Sequence, residues 1–245
     1  MVEPIIELQR VSFSTQQQEI IQSISHQFLE GKTTALVGPS GGGKSTVLKL
    51  AAGLLIPSAG TVRFRGQDMA AMNRVQTLEF RRQSAVVFQD SALWANQNLY
   101  QNLELPLRIH FPQISKADRE KRMEQVLSEV GYKKDLMIRP AQLSMGEQKL
   151  IAFARAMLCR PRMLFLDEWT ESLDGNAAQR LVDIVKSHKD QGATVIFVSH
   201  DLSIIKILAD DIMMILGGQI SLTLTGADIA ADAYLAQHIE KGIAS

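Results

Sequence analysis

The sequence contains a single cysteine, Cys159, among its 245 residues. One thiol can form neither an internal disulfide nor a cysteine-rich metal site, and this favours a reducing compartment. An excess of either charge is also absent, because 26 basic residues balance 26 acidic ones. Binding to nucleic acid depends on a basic surface that displaces counterions from phosphates. We therefore expect no nucleic-acid partner.

Long apolar runs are missing as well. A bilayer span needs about 20 mostly apolar residues, whereas the most apolar runs, TVIFVS and DIMMILGG, have the length of buried strands. The N-terminal segment MVEPIIELQR contains no basic flank followed by an apolar stretch, so we expect no signal peptide. The chain is therefore expected to be soluble or, at most, peripheral to a membrane.

What the sequence does contain is an alternation of strand and helix patterns, which predicts an α/β fold. Residues 5–13 and 19–28 have the pattern of strands in a mixed sheet, and buried strands are predicted at TTALVG, MLFLDE and TVIFVS. The segment 91–160 changes character and is mostly helical. Its clearest helix is predicted to begin at the N-cap Ser115 and to stop at Gly131.

The strongest chemical signal is GPSGGGKST, which follows a predicted strand and opens a predicted helix. Its spacing matches the phosphate-binding loop G-x-x-x-x-G-K-[ST]. Glycines let the main chain wrap around a phosphate with its N–H groups pointing inward, and the helix N-terminus adds partial positive charge. Lys44 is expected to meet the outer phosphates and Ser45 to bind Mg²⁺. The predicted phosphate-binding residues are Gly38, Pro39, Ser40, Gly41, Gly42, Gly43, Lys44, Ser45 and Thr46.

A pair of carboxylates ends the apolar strand RMLFLDE. A carboxylate at a strand tip beside a phosphate-binding loop can hold Mg²⁺, which is the role predicted for Asp167. The next residue, Glu168, is a candidate general base that would accept a proton from an attacking water. Taken alone, the same pattern also fits a strand followed by an ordinary acidic turn.

The segment QLSMGEQK has the spacing of a capping box. Ser144 is a good N-cap, and Glu147, three residues later, can reach back to it. A helix that starts here presents free N–H groups and the positive end of its dipole, which together form an anion site. The segment therefore predicts both a helix start and a candidate phosphate contact.

These motifs occur in order with VFQD, SLD and VSHD, and the ordered set resembles the ATP-binding cassette (ABC) ATPase family over residues 5 to about 225. The resemblance implies an α/β fold: a P-loop NTPase (RecA-like) core with an N-terminal antiparallel β subdomain and an inserted α-helical subdomain. Thr225 and Asp228 are candidate caps of a last helix. The implied divisions are a nucleotide-binding core at 1–90 and 161–225, a helical signature subdomain at 91–160 and a helical tail at 226–245.

The same resemblance assigns roles to single residues. Gln89 resembles the glutamine that contacts Mg²⁺ and water and senses a membrane partner, and His200 resembles the switch histidine that contacts the γ-phosphate. With Glu168 they form the implied catalytic set, while Asp174 resembles the D-loop aspartate. Plainer interpretations exist: Gln89 as a polar strand end, Asp174 as a helix cap, and His200 as a turn residue before the cap Asp201. The implied Mg²⁺ ligands are Ser45, Gln89 and Asp167.

In the family, the signature segment, here residues 143–148, faces ATP bound to a second subunit. The resemblance thus implies a homodimer of cassettes that sandwiches two ATP molecules and is separated by hydrolysis. The implied cofactors are ATP and Mg²⁺. The implied contacts to the partner's ATP are Ser144, Met145, Gly146 and Glu147.

Three positions depart from the family pattern. Met145 replaces the first glycine of L-S-G-G, and Trp169 replaces the usual proline after the catalytic glutamate. The aromatic residue that stacks on adenine in most members aligns with Thr15. Phe13 lies two residues earlier on the same strand face, where core packing is the alternative. Adenine stacking therefore lacks its usual residue.

Transport by a chain without membrane spans requires separate permease subunits. In the family, the region after Gln89 forms a groove that receives a short helix of the permease. Residues 89–111 offer apolar side chains for such a groove, although ordinary core packing fits them equally well. The pattern A-L-aromatic followed by N-L-x-x-N-L-x-x-P-L resembles the ATPases of Mla-type, MCE-associated phospholipid transporters. The candidate groove residues are Trp94, Leu99, Tyr100, Leu103 and Leu105.

Three functions stay open. The first is the ATP-hydrolysing motor of a transporter, held on the cytoplasmic side of the inner membrane by its permease, with a lipid cargo and an MCE-type lipid-binding subunit as its narrower form. The second is a cassette that signals through a membrane partner without transport, as in division-type (FtsE-like) complexes. The third is a soluble cassette of the DNA-repair or iron–sulfur assembly kind. No room exists for the coiled-coil or zinc insert of repair relatives, and the balanced charge argues against DNA.

Overall fold

The computed structural model describes residues 3–225 and Asp228. Strands and helices alternate along it, as the sequence pattern predicts. The strands are β1 Pro4–Ser14, β2 Glu19–Leu29, β3 Thr33–Val37, β4 Ala59–Phe64, β5 Gln67–Asp68, β6 Ser84–Val87, β7 Met163–Asp167, β8 Thr194–Val198, β9 Asp211–Leu216 and β10 Gln219–Thr225. The α-helices are α1 Lys44–Ala51, α2 Arg74–Gln83, α3 Leu99–His110, α4 Lys116–Val130, α5 Met145–Met157, α6 Gly175–Asp190 and α7 Leu202–Leu208, with short 3₁₀ turns at Met69–Ala71 and Pro140–Gln142.

Two sheets organise the chain. The first is antiparallel, in the order β2-β1-β4-β5, and the second is mainly parallel, in the order β10-β9-β3-β8-β7-β6. The expectation that the two N-terminal strands join a mixed sheet is therefore wrong, because β1 pairs antiparallel with both β2 and β4. The antiparallel β subdomain implied by the family resemblance is confirmed.

Burial explains the composition of the parallel sheet. Every residue of β3, β7 and β8 is buried, as expected for strands that are covered on both faces. Alternate side chains point to opposite faces because the side-chain period of a strand is two. Leu36, Phe165 and Ile196 enter the core shared with the antiparallel sheet and α1. Leu164 and Phe197 enter the core shared with helices α3 to α7.

The clearest predicted helix is confirmed in α4. The side chain of its N-cap, Ser115, accepts a hydrogen bond from the N–H of Asp118. The helix ends at Gly131, whose φ of 79° is the left-handed conformation typical of a helix stop. One apolar face is buried against the neighbouring helices, through Met123, Val126, Leu127 and Val130.

The predicted last helix begins at the edge of the described residues. Thr225 N donates to Asp228 Oδ2 over 2.8 Å, and Asp228 N donates to Thr225 Oγ1 over 3.3 Å. These are the reciprocal bonds of a capped helix start. The predicted tail at 226–245, apart from Asp228, lies outside the described residues. Within the part of the chain that is described, no helix has the length and apolar character needed to cross a bilayer.

Gly60 and Gly192 form a matched pair for testing how closely β4 packs on β1. Their φ angles are 78° and 87°, but a Cβ at Gly60 would lie 2.1 Å from the carbonyl oxygen of Arg10, whereas one at Gly192 meets nothing within 4 Å. Gly192→Ala should lower the free energy of unfolding by about 1–2 kcal/mol through backbone strain alone. Gly60→Ala should lower it by a further 1–3 kcal/mol, roughly, because β1 must move. Urea unfolding measures both losses, and equal losses would contradict the close approach.

Candidate active site

The predicted site residues follow strands that lie side by side in the parallel sheet. The phosphate-binding loop follows β3, His200 follows β8, Asp167 ends β7 and Gln89 follows β6. These strands are neighbours in the order β3-β8-β7-β6. The carboxyl ends of parallel strands meet at one edge, which is where open α/β sheets bind ligands. Sheet topology therefore gathers residues that are far apart in the sequence.

The loop between β3 and α1 has a shape that depends on glycine. Gly38, Gly41 and Gly43 have φ angles of 138°, 74° and 102°, which other residues rarely adopt. Gly43 is the N-cap of α1 and makes no side-chain cap, so the first N–H groups of the helix are available to an anion. Lys44 is buried, and its Nζ donates to the carbonyl oxygens of Gly38 (2.8 Å) and Pro39 (2.9 Å). The loop therefore holds the Lys44 ammonium group beside the free N–H groups at the start of α1, and both are groups that can bind a phosphate.

Ser45 and Asp167 meet where α1 faces the end of β7. The Ser45 hydroxyl donates to Asp167 Oδ1 over 2.8 Å. Burial raises the pKa of the Asp167 carboxyl, while the Ser45 hydrogen bond and nearby lysines oppose that rise. A hydroxyl and a carboxylate are oxygen donors of the kind that Mg²⁺ prefers, and a cation here would compensate for the burial of the carboxylate. The residues present therefore fit a magnesium ion.

Glu168 lies on the first turn after β7, with a left-handed φ of 45°. Its carboxylate Oε1 is buried without a hydrogen-bond partner among the described residues, and it lies 3.1 Å from His200 Nε2 without the alignment of a hydrogen bond. Burial, reinforced by the carboxylates of Asp167 and Glu171, raises the pKa of Glu168 to about 7. A carboxyl that titrates near neutral pH and holds an unpaired oxygen is suited to accept a proton from water.

His200 follows β8 and is directed at Glu168, as the distance above shows. Burial and the charge of Lys44 lower the pKa of the imidazole, so the ring is neutral at pH 7. The next residue, Asp201, is the N-cap of α7 and accepts hydrogen bonds from the N–H groups of Ser203 and Ile204. The cap interpretation is therefore confirmed for Asp201, and it does not account for His200.

Gln89 is held by two residues that no motif indicates. Its side-chain nitrogen donates to Glu171 Oε2 over 3.2 Å, and its main-chain carbonyl oxygen accepts from Lys149 Nζ. Lys149 is buried on α5. One signal for Lys149 exists in the sequence, because it stands one helical turn before the buried Phe153 on the apolar face, where lysine is rare. Glu171 gives a weaker signal, as a further carboxylate three residues after Glu168.

The signature segment starts α5 as predicted. Ser144 is the N-cap: its Oγ accepts from Glu147 N over 3.3 Å, and Glu147 Oε2 accepts from Ser144 N over 3.0 Å. The capping box is therefore confirmed. Lys134 forms an ion pair with Glu147, and that contact is the main reason that the pKa of the glutamate is lowered. Met145 occupies the first helical position, and its side chain is 72 % exposed to solvent.

Gly146 and Asp174 bring the signature segment near the turn after β7. A Cβ at Gly146 would lie 2.9 Å from the carbonyl oxygen of Ser172, so only a glycine lets α5 approach that turn so closely. Asp174 is the N-cap of α6 and accepts a hydrogen bond from Ala177 N over 2.8 Å. The cap interpretation of Asp174 is confirmed, and a contact with a second subunit stays a prediction.

A cleft of about 710 Å³ is lined by some of the predicted site residues. Ser45, Gln89 and Asp167 line it together with Met145 and Lys149. Gln148 of the signature segment also lines it, whereas Glu168 and His200 do not. The structure therefore brings the predicted metal ligands together and leaves Ser144, Gly146 and Glu147 outside their cleft.

Two of the apolar residues predicted to line a docking groove do not lie at the surface. Leu99 and Leu103 of α3 have 0 % exposure and belong to the helical core, because the apolar face of α3 packs inward. Their groove assignment is therefore wrong. Tyr100 is partly buried against the same core. Trp94, which is 46 % exposed, and Leu105 do line a surface groove of about 230 Å³.

Most of the segment that forms this site matches a known protein family. Residues 21–171 match the family described as ABC transporter, and they include the phosphate-binding loop, the signature segment and the carboxylates after β7. The chain belongs to the ABC transporter family. It is an ATP-binding cassette of that family.

Several curated relatives resemble the cassette. The uncharacterized ABC transporter ATP-binding protein YejF of Escherichia coli (strain K12) is 37% identical over 82% of this chain and 39% of its own length. The macrolide export ATP-binding/permease protein MacB of Marinobacter nauticus is 34% identical over 83% of this chain and 32% of its own length. The nickel import ATP-binding protein NikE of Shigella flexneri serotype 5b is 34% identical over 87% of this chain and 81% of its own length. The chain therefore spans well under half of the first two relatives.

Solved structures confirm the predicted fold class. The ATP-binding cassette MJ0796, in a dimeric post-hydrolysis state bound to ADP and Pi, superposes with a TM-score of 0.83 at 25% identity, over 90% of this cassette and 98% of that chain. The ATP-binding subunit of an ABC transporter superposes with a TM-score of 0.84 at 24% identity, over 98% of this cassette and 100% of that chain. The second likeness concerns the fold alone.

The departures from the cassette pattern have distinct structural settings. Trp169 is fully buried and packs edge-to-face on Phe197, with ring centroids 5.3 Å apart. The large ring therefore fills the core beside the Glu168 turn, where the family has a proline. Thr15 lies in an exposed turn, and Phe13 packs against the core, which supports the packing interpretation of Phe13.

Ser144 and Met145 of the cassette allow a test of the signature segment. Ser144→Arg removes the cap and adds bulk at the helix start, so ATP turnover of the assembled complex should nearly vanish while the isolated chain still binds ATP. Met145→Gly is the neighbouring control. It should cost α5 at most about 1 kcal/mol, and turnover should change less than about tenfold. Steady-state ATPase assays compare the two. Wild-type turnover in Ser144→Arg would show that this helix start has no part in hydrolysis.

Proposed function

We propose that this ATP-hydrolysing cassette is the motor subunit of a transporter whose permease is formed by separate membrane proteins. The observation that carries the proposal is the meeting of a phosphate cradle, the Ser45–Asp167 pair and the near-neutral carboxyl of Glu168 at one sheet edge. The names of MacB and NikE refer to macrolide export and nickel import, which supports a transport role.

Nucleotide binding follows from the loop. The N–H groups at the start of α1 and the Lys44 ammonium group bind the phosphates, with Lys44 exchanging the carbonyl oxygens of Gly38 and Pro39 for phosphate oxygens. Ser45 and Asp167, with the amide oxygen of Gln89, would hold Mg²⁺, which when bound neutralises phosphate charge.

Hydrolysis then depends on the turn after β7. Glu168 accepts a proton from the attacking water at its unpaired Oε1. His200 is neutral and lies beside Glu168, so it can donate a hydrogen bond to the γ-phosphate without adding a second charge. The main chain of Glu168 is fixed by its hydrogen bond to Val198, and this sets the position of the base relative to the cradle.

A second copy of the chain completes each site in this proposal. The start of α5 is exposed at Met145, and the capped N-terminus can meet the ATP of the partner through residues 144–147. Asp174 lies on the turn that packs against Gly146, so it would face the same interface. The dimeric state of MJ0796 supports this arrangement.

Permease docking is assigned to the groove beside α3. Its apolar lining includes Trp94, Leu105, Pro106 and Ile109, of which Ile109 is 51 % exposed, and basic side chains line it as well, those of Arg81, His110 and Arg155. A groove that offers apolar side chains between basic ones suits a short helix of a partner. Docking there would hold the cassette peripherally on the cytoplasmic side of the inner membrane. It would also place the partner close to the loop that carries Gln89.

Phospholipid is the narrower candidate for the cargo, together with an MCE-type lipid-binding subunit. It rests on the sequence pattern over residues 90–111, of which Leu99 and Leu103 serve core packing. The names of the relatives MacB and NikE refer to macrolides and nickel instead. Lipid transfer between reconstituted vesicles, driven by ATP, tests this candidate and separates transport from FtsE-like signalling.

Glu168→Gln tests the hydrolytic proposal. The change keeps the shape of the side chain and removes proton acceptance, so ATP turnover should fall by roughly 10²- to 10⁴-fold. ATP binding should survive, and an ATP-bound dimer should accumulate in gel filtration. Glu124→Gln, on the exposed face of α4, is the control and should hydrolyse ATP normally. Near-normal turnover in Glu168→Gln would remove Glu168 from the role of base.

Ile109→Asp tests the docking groove. Replacing an exposed apolar side chain of the groove with a carboxylate should abolish co-purification of the membrane permease and leave the ATPase activity of the isolated chain unchanged. Ile207→Asp is the matched control, since Ile207 is also helical and is 45 % exposed outside the groove. Detergent extraction with affinity purification of each variant gives the comparison. If the wild-type chain recovers no polytopic membrane protein, a soluble cassette of the iron–sulfur assembly kind becomes the better proposal.

A further inference from the structure

Helix α5 carries a buried cation for which the hydrolytic scheme above has no role. Lys149 is 3 % exposed and lies on the buried face of α5, five residues after the N-cap Ser144. Burial lowers the pKa of its ammonium group, and four nearby carboxylates oppose that effect, those of Glu171, Asp167, Asp90 and Glu168. Lysine is almost never fully buried without a compensating arrangement. Its contacts therefore need an explanation.

The ammonium group of Lys149 joins two loops of the site. An ammonium has three donors and no acceptor, and here it donates to main-chain carbonyl oxygens. Those of Phe88 (3.5 Å) and Gln89 belong to the loop after β6, and that of Glu168 (3.3 Å) belongs to the turn after β7. One side chain thus ties the main chain of a proposed metal ligand to that of the proposed base.

A second cation of α5 holds the same loop further along. Arg155 donates to the carbonyl oxygens of Ala92 (2.9 Å) and Ser91 (3.2 Å), and it lies over the ring of Trp94 at 5.7 Å. Ser91 and Ala92 have left-handed φ angles of 63° and 45°. A loop with strained residues needs such anchors. Because Arg155 secures residues 91–94, loss of Lys149 should release only the main chain next to the site.

We propose that Lys149 is a positioning residue for ATP hydrolysis. Its ammonium group fixes the main chain at Gln89 against the main chain at Glu168, so that the metal-facing loop and the base keep one geometry. This inference rests on the proposed function, because it assigns Lys149 to the same reaction. It also makes α5 the common support of the signature segment, the Gln89 loop and the Glu168 turn.

The test compares three variants with the wild-type chain. Lys149→Met keeps the length and apolar stem of the side chain and removes the donors. Lys149→Arg retains a cation with several N–H donors. Lys189→Met is the matched control, because Lys189 also donates from Nζ to a main-chain carbonyl, that of Leu208 (2.7 Å), at the opposite edge of the parallel sheet. For each protein, thermal unfolding, ATP affinity and steady-state kcat and KM are measured.

We expect kcat of Lys149→Met to fall on the order of 10²-fold, since a small misplacement of reacting groups has that effect. KM and ATP affinity should stay within about threefold, because binding to the cradle is untouched. Lys149→Arg should recover most of the lost kcat. Lys189→Met should lower the unfolding temperature and leave kcat of the folded protein unchanged.

Several results would overturn the inference. They are a kcat of Lys149→Met within about threefold of wild type, a KM that rises in step with the loss of kcat, or an equal loss of kcat in Lys189→Met. If Lys149→Met does not fold, Lys149→Gln takes its place under the same criteria. If the wild-type chain itself hydrolyses no ATP, the proposed function fails. An active wild type with an unaffected Lys149 variant rejects only the role of Lys149.

Discussion

The register between β7 and β8 is the constraint on which the site depends. Asp167 pairs with Val198, and the N–H of Glu168 extends the ladder by donating to the carbonyl oxygen of Val198. A slip of one residue would send Asp167 to the opposite face, away from Ser45, and would separate His200 from Glu168. Burial on both faces prevents such a slip, because alternate side chains of these strands fill two different cores.

That register concentrates charge in a place where charge is expensive to bury. Asp167 is 2 % exposed, and Glu168 is the next residue along the chain. Burial shifts both carboxyls towards their neutral forms, and it shifts Lys44 and Lys149 towards theirs. The opposite charges counteract these shifts, because the lysines stabilise the charged carboxylates and the carboxylates stabilise the charged lysines. Removal of the lysines or of the carboxylates would leave an uncompensated charge in the core. The loss of stability would be larger than on removal of an exposed ion pair.

Local chemistry is what the sequence predicts best. The caps at Ser115, Ser144, Asp174 and Asp201 depend on neighbours within three residues, and all four are present in the structure. The phosphate-binding loop follows for the same reason, since its shape comes from its own glycines. Buried strands were also predictable, because an unbroken apolar run fits a strand that is covered on both faces.

Long-range choices were not predictable in the same way. A strand pattern does not state its pairing partner, and the two N-terminal strands were expected in a mixed sheet, whereas their sheet is antiparallel. The apolar residues of α3 fit a groove or a core equally well, and only the packing against α4 and α5 decided the matter for Leu99 and Leu103. The contacts of Lys149 were not predictable, because its acceptors are carbonyl oxygens, which every residue carries and no motif records.

The placement of the two tryptophans has a practical consequence for spectroscopy. Trp169 is sealed in the core beside the turn of the proposed base, whereas Trp94 is 46 % exposed at the groove beside α3. A soluble quencher therefore reaches one indole and not the other. The unlabelled protein thus carries two separable optical reporters: the quenchable emission follows events at the groove, and the protected emission follows the interior next to the nucleotide site.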